Sequence, residues 1–219
     1  MSAKMIFFTT AYDEEFLTEE EAQEIGNYRK HIWINNALKK EEAYRENQLW
    51  GGVYYLSPEE NVTEVLIALG QNLNWTIKDN KQVMNSYTVW DCKSYDNLVQ
   101  KATYTRIVSD AEENEIAFIT YDSFTLQATT GLKIYHYGNK PIPWGSSGNL
   151  FEEDSEIHFR FDENGELESI FTTDIMFGND PIYRPSSFFK VAGNFFEEMG
   201  GSDDELYYYT HIEPLVPNF

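Results

Sequence analysis

The sequence predicts an α+β fold in a single domain over residues 1–219, with N-terminal helices over 13–80 followed by a mostly antiparallel β core over 85–219. Two helix-start signals lie in the first third of the chain. After residue 85 the apolar residues alternate with period two. There is no repeat at a fixed period and no low-complexity linker, and helices followed by many strands read as α+β. A chain of 219 residues buries most of its apolar surface without disulfides or metal.

The first helix is predicted from Thr18-Glu-Glu-Glu21, where Thr18 caps and Glu21 reaches back. Leu17 and Ala22 flank it as a staple, and Ile25, Tyr28 and Ile32 follow at helical spacing. The second starts at Ser57-Pro-Glu-Glu60, with Pro58 suited to the first helical position. Val62, Val65, Leu66 and Leu69 form its apolar stripe, and Gly70 ends it. Strands are predicted at Tyr87–Trp90, Tyr104–Val108, Ile116–Tyr121, Leu132–Tyr137 and Glu156–Phe161. In the last of these, Ile157, Phe159 and Phe161 share one face. Asn164-Gly165 signals a type I′ hairpin into Leu167–Phe171. The Pro- and Gly-rich stretch Gly138–Gly148 reads as a loop, and Leu206–Ile212 as a final strand.

Charge excludes several functions. The formal net charge is −21, so the field repels nucleic-acid backbones and anionic membranes and serves either solubility, the blander reading, or a basic protein partner. No stretch reaches the roughly 18 apolar residues a membrane helix needs, and the first ten residues lack a signal-peptide core, so the cytoplasm is the default location. A lone cysteine, Cys92, excludes an internal disulfide and reads as a buried thiol. His31, His136, His158 and His211 are scattered without metal-ligand spacing, so no metal is expected, and His136 and His158 read as solvent-facing sheet residues. Asp162–Glu166 lacks the ligand spacing of a calcium loop. Gly51-Gly52 and Gly200-Gly201 read as turns. The acidic groups Glu152-Glu153-Asp154 and Glu197-Glu198 read as solvated faces.

The stretch Leu17–Leu38, with Ile25, Tyr28, Ile34, Asn35 and Leu38, resembles the opening helix of mono-ADP-ribosyltransferase domains. Thr88-Val-Trp90 is similar to the family's strand before its NAD-binding arginine, although Asp91 and Cys92 stand where the family has arginine and glycine. Phe124, Gln127 and Thr129 occupy the place of its aromatic-Ser-Thr-Ser motif. Two segments compete for the family's catalytic glutamate: Asp203-Asp-Glu205, which is preferred, and Glu166-Leu-Glu168. The resemblance implies a split core of two packed sheets and NAD as substrate. Trp90, Arg106, Gln127 and Thr129 would hold the cofactor. Glu205 would stabilise the positive charge that spreads over the ribose as the nicotinamide leaves. Asp91 conflicts with that role, because a carboxylate against pyrophosphate is repulsive, and Arg106 is the replacement cation.

Two function classes follow. One is an ADP-ribosyltransferase-like protein, active or degenerate, that uses NAD to modify a protein acceptor. The other is a non-catalytic acidic binding protein, such as an inhibitor or an immunity protein that neutralises a basic toxin. Tyrosine richness and the −21 charge motivate the second.

Overall fold

The computed structural model describes residues 3–11, 15–70, 73–96, 98–136, 156–174, 178–183 and 201–218. The expected loop at 138–148 and the acidic groups at 152–154 and 197–198 lie outside these residues.

The N-terminal third is mostly strand. Strand β1 (Lys4–Thr10) and the short β2 (Phe16–Leu17) precede helix α1 (Glu19–Ile25). Strands β3 (Tyr28–Ile34), β4 (Ala37–Arg45) and β5 (Gln48–Tyr55) follow, then helix α2 (Val62–Leu69). The long strands β6 (Asn74–Met84), β7 (Tyr87–Asp96) and β8 (Val99–Ser109) come next. Beyond them lie β9 (Glu115–Asp122), β10 (Ala128–His136), β11 (Glu156–Phe161), β12 (Leu167–Asp174), β13 (Gly178–Tyr183) and helix α3 (Asp203–Thr210).

The expected α+β fold with two packed sheets is therefore corrected. Among the described residues the strands join one thirteen-stranded sheet, in the order β13 to β3 by descending number, then β1 and β2. The sheet is mixed: β5 and β6 run parallel because α2 crosses over between them, and β3–β4, β4–β5 and β9 through β13 pair antiparallel. The chain forms two compact units, one of residues 1–81 and 90–104, the other of 82–89 and 105–219.

The helix predicted to run through Ile32 stops at Ile25. The capping box forms as read, with the Glu21 amide donating to Thr18 Oγ1 at 3.3 Å and the Thr18 amide to Glu21 Oε2 at 2.8 Å. Gly26 then takes a left-handed φ of 76° and its N–H closes the helix on Ala22 at 3.0 Å. Tyr28 and Ile32 belong to β3, and both are buried. A spacing of four residues puts side chains on one face of a helix and of a strand alike, so the spacing does not discriminate. Asn35 and Asn36, read as part of the helix, form the two-residue hairpin between β3 and β4 with φ of 53° and 63°. Asparagine tolerates that left-handed pair.

The second helix is capped four residues later than predicted, at Asn61 rather than Ser57. Ser57–Glu60 closes on itself as a turn, and Asn61 caps α2 by accepting from Thr63 and Glu64 amides at 2.9 and 3.2 Å. Gly70 ends α2 as expected. Leu66 packs on Trp75 and Ile77 to form the core of the first unit, with Tyr54, Leu69 and Tyr95 around it. Gly51 and Gly52 are not a turn but lie inside β5. A Cβ on Gly51 would sit 2.0 Å from the Asn74 carbonyl oxygen, and one on Gly52 would sit 1.9 Å from that of Glu41. Only glycine permits this approach of the neighbouring strands.

The expected strands at 104–108, 116–121, 132–136, 156–161 and 167–171 fall within β8 to β12. Ile157, Phe159 and Phe161 do share a face, and with Leu167 and Ile170 they pack under Tyr208 and Tyr209. The hairpin after β11 forms, but only Gly165 takes positive φ, 76°, and the register shifts at Arg160/Phe161. That is a type I turn with a glycine bulge, not type I′. The predicted final strand Leu206–Ile212 is instead α3. Its start, Ser202-Asp-Asp-Glu205, spells a capping box: the Ser202 amide donates to Glu205 Oε2 at 2.7 Å and the Glu205 amide to Ser202 Oγ at 3.2 Å.

Candidate functional site

A chain of polar and aromatic side chains crosses the first unit. Thr9 Oγ1 of β1 hydrogen-bonds His31 Nε2 of β3 at 3.1 Å. His31 Nδ1 lies 3.8 Å from Glu41 Oε2 of β4. The Tyr55 hydroxyl of β5 donates to Glu41 Oε1 at 2.7 Å. Trp90 of β7 meets the Tyr55 ring edge-on at 5.6 Å. Lys78 and Lys81 of β6 lie over the Tyr55 and Trp90 rings at 5.4 and 5.3 Å. The residues alternate along strands paired in register, which brings them to one another across the sheet. Beside this chain is a cleft of about 370 Å³ lined by Arg29, Glu41, Trp50, Thr76, Ser94 and Lys101.

Thr9, His31 and Glu41 have the order of a nucleophile, base and orienting acid. Two features set them apart from a working triad. Thr9 is only 5% exposed, so its hydroxyl is shielded from solvent, and the His31–Glu41 separation exceeds a hydrogen bond.

The other side of the first unit holds a tighter network. Lys39 donates to the Tyr55 carbonyl at 2.8 Å, to Ser57 Oγ at 2.9 Å and to Glu60 Oε2. Glu60 also accepts from the Tyr54 hydroxyl and the Ser57 amide, both at 2.7 Å. Burial raises the Glu60 carboxyl, but the bonds from Lys39, Ser57 and Tyr54 outweigh it and hold it down at about 2. This network fixes the entry to the α2 crossover.

The second unit buries a lysine. Lys133 of β10 is fully buried, with three carbonyl acceptors on its Nζ: Tyr208 at 2.8 Å, His211 at 2.8 Å and Pro214 at 2.7 Å. The ammonium also lies 3.8 Å from the centre of the Tyr208 ring. Burial pushes the amine down to about 7, against the pull of Glu213. Each of the three N–H groups has its acceptor, so the side chain pins the last turn of α3 to the sheet.

Most of the residues expected from sequence have local partners. Trp90 is half-buried in the first unit, in the chain just described. Arg106 lies over the Tyr121 ring at 5.0 Å in the second unit, and the Tyr121 hydroxyl donates to Glu213 at 2.7 Å. Gln127 is exposed in the turn between β9 and β10, where its carbonyl accepts from the Asp122 amide at 3.0 Å. Thr129 donates to the Thr120 carbonyl at 3.2 Å. Glu205 is the reciprocal member of the α3 capping box. Glu168, its competitor, is exposed on β12. Asp91 is 6% exposed and accepts from Asn80 Nδ2 at 2.9 Å. Cys92 is buried. His158, expected to face solvent, is instead buried and pairs with Glu156 at 2.8 Å, while Arg160 on the same face of β11 is exposed.

The His31–Glu41–Tyr55 chain escapes sequence reasoning because its members come from three strands in a segment read as helix. Lys133 was legible only as the polar member of an alternating strand. Among the described residues no group of three or more His, Cys, Asp or Glu side chains is placed to hold a metal, and no helix is long and apolar enough to cross a membrane. Comparison with known proteins gives no family: no family model, no curated protein and no solved structure matches the chain.

Proposed function

We propose that this protein is a non-catalytic binding protein for a basic protein partner. The observation that carries the reading is how the sixteen cations are used. Lys39, Lys40 and Lys93 pair with carboxylates. Lys133 is spent on carbonyls. Lys30, Arg45, Lys78, Lys81 and Arg106 lie over aromatic rings. Nine cations are thus engaged inside the chain, while Glu19, Glu20, Glu24, Glu112, Asp203 and Asp204 stand exposed. An uncompensated field of this sign steers a cationic protein and repels an anionic one.

The carboxylate preferred for chemistry supports the same reading, because Glu205 is occupied as a helix cap. An inhibitor or immunity protein against a basic toxin has these properties. The test is capture from a lysate of the source cell at low and high salt, followed by reconstitution with the purified partner. The expected result is one stoichiometric basic protein that rebinds in isolation. No stoichiometric partner, or an acidic one, overturns the reading.

A further inference from the structure

We infer that the outer edge of β1 takes up an extended, Lys/Arg-rich segment of the partner as an added strand. The inference rests on the basic-partner reading and names the surface that would serve it.

The edge is open. Strand β1 pairs with β3 along its whole length, Lys4 to Thr10. Its other side pairs with β2 only at Phe8–Leu17 and Thr9–Phe16. Over Lys4–Phe7 no strand lies on that side among the described residues. Backbone N–H and C=O groups along such an edge are a template for an incoming strand. The strand at the opposite end of the sheet order, β13, carries Pro181, which cannot donate a hydrogen bond. Strand β1 has no proline.

Apart from the exposed Lys4, the edge is also apolar. Met5, Ile6 and Phe7 are 38%, 42% and 39% exposed, and Phe16 of β2 is 80% exposed. The Phe7 and Phe16 rings meet edge-on at 6.3 Å. Consecutive exposed residues put apolar surface on both faces of the strand, so an added strand gains side-chain contact on each.

Charge selects the occupant. Helix α1 packs against β1, β2 and β3 and exposes Glu19, Glu20, Glu21 and Glu24, with Glu15 just before β2. No lysine or arginine lies between Glu15 and Ile25. A strand with alternating cations and apolar residues satisfies the backbone, the apolar edge and the carboxylates together. A second copy of this chain does not, since its own edge strand β1 offers no alternating cations and it carries a net charge of −21.

The probe is the capped peptide Lys-Val-Lys-Val-Lys-Val-Lys, read by fluorescence anisotropy and by amide hydrogen exchange on the full chain. Controls carry Glu for Lys, or Pro for the Val residues at unchanged charge. The expected result is slowed exchange at Lys4–Phe7 with the first peptide and binding by neither control. The triple substitution Glu19→Lys, Glu20→Lys, Glu24→Lys weakens binding at least tenfold, and it leaves the Thr18–Glu21 cap intact. Ile6→Pro and Phe7→Pro are made separately, since strand alternation points one of the two amides away from β3; the variant that keeps the wild-type melting temperature loses the peptide. Peptide binding with protection elsewhere, binding unaffected by the variants, or a dimer sealed by this edge overturns the edge assignment and leaves the basic-partner reading standing. Absence of any basic partner or basic peptide binding removes both.

Discussion

Lys133 donates from Nζ to the carbonyl oxygen of Tyr208 at 2.8 Å, from a side chain that is completely buried. With His211 and Pro214 supplying the other two acceptors, one residue of β10 holds the end of α3 and the segment after it. Helix α3 has no basic residue in its last turn, and Lys133 supplies from the sheet hydrogen-bond donors for the carbonyls there.

Replacing Lys133 by methionine keeps the length of the side chain and removes every donor. Three buried carbonyls then lose a partner, which costs about 3 kcal/mol. Urea unfolding followed by circular dichroism measures this. A loss below about 1 kcal/mol would show that the carbonyls find other donors.

The Glu60 network gives a pH dependence with a definite sign. The carboxyl is held at about 2 in the folded chain against an ordinary value of 4.5. The unfolded chain therefore binds the proton first as pH falls, and the stability from this group is present above about 4.5 and is lost as pH drops towards 2. Glu60→Gln removes that slope and costs about 1 kcal/mol at neutral pH, since the pair is partly exposed. Equal acid slopes for the variant and the wild type would contradict the assignment.

Gly51→Ala and Gly52→Ala test the close approach of β4, β5 and β6. Each Cβ would fall about 2 Å from a backbone oxygen that no rotamer change can move. The expected cost is about 3 kcal/mol or more for either variant. Gly26→Ala, whose Cβ meets nothing closer than 3.6 Å but whose φ is 76°, costs about 1 kcal/mol. Melting temperatures of the three variants rank these effects, and a milder effect at Gly52 than at Gly26 would contradict the geometry.

The sequence was informative where one signal had one reading. The strands from Tyr87 to Phe171 were legible because β-branched and aromatic residues alternate there, and the Thr18–Glu21 box was legible because its spelling is local. The N-terminal third misled because Tyr28 and Ile32 satisfy helix and strand periods equally. The turns that decide the matter, Asn35-Asn36 and Glu46-Asn47, lack the glycine that usually marks a two-residue hairpin, yet all four residues take positive φ. At the other end, three consecutive tyrosines suggested a strand, while the Ser202–Glu205 box already specified a helix start. Of the site residues, Trp90 lies in a connected constellation, but its partners His31, Glu41 and Tyr55 reach it only through sheet register.

NAD binding is the readout that separates the transferase reading from the binding reading. A ligand at a hundredfold excess over its dissociation constant adds about 2.7 kcal/mol of stability and raises Tm. With NAD at millimolar concentration no shift is expected. A reproducible rise in Tm that Trp90→Ala or Arg106→Ala abolishes would return the transferase chemistry to first place.

If charge carries recognition of a basic partner, salt must weaken the complex. Titration calorimetry of the captured partner against this chain, at about 0.05 M and about 0.5 M salt, tests it most directly. The expected result is a one-to-one complex whose affinity falls at least tenfold between the two conditions. Affinity independent of salt, or no complex at either concentration, would contradict it.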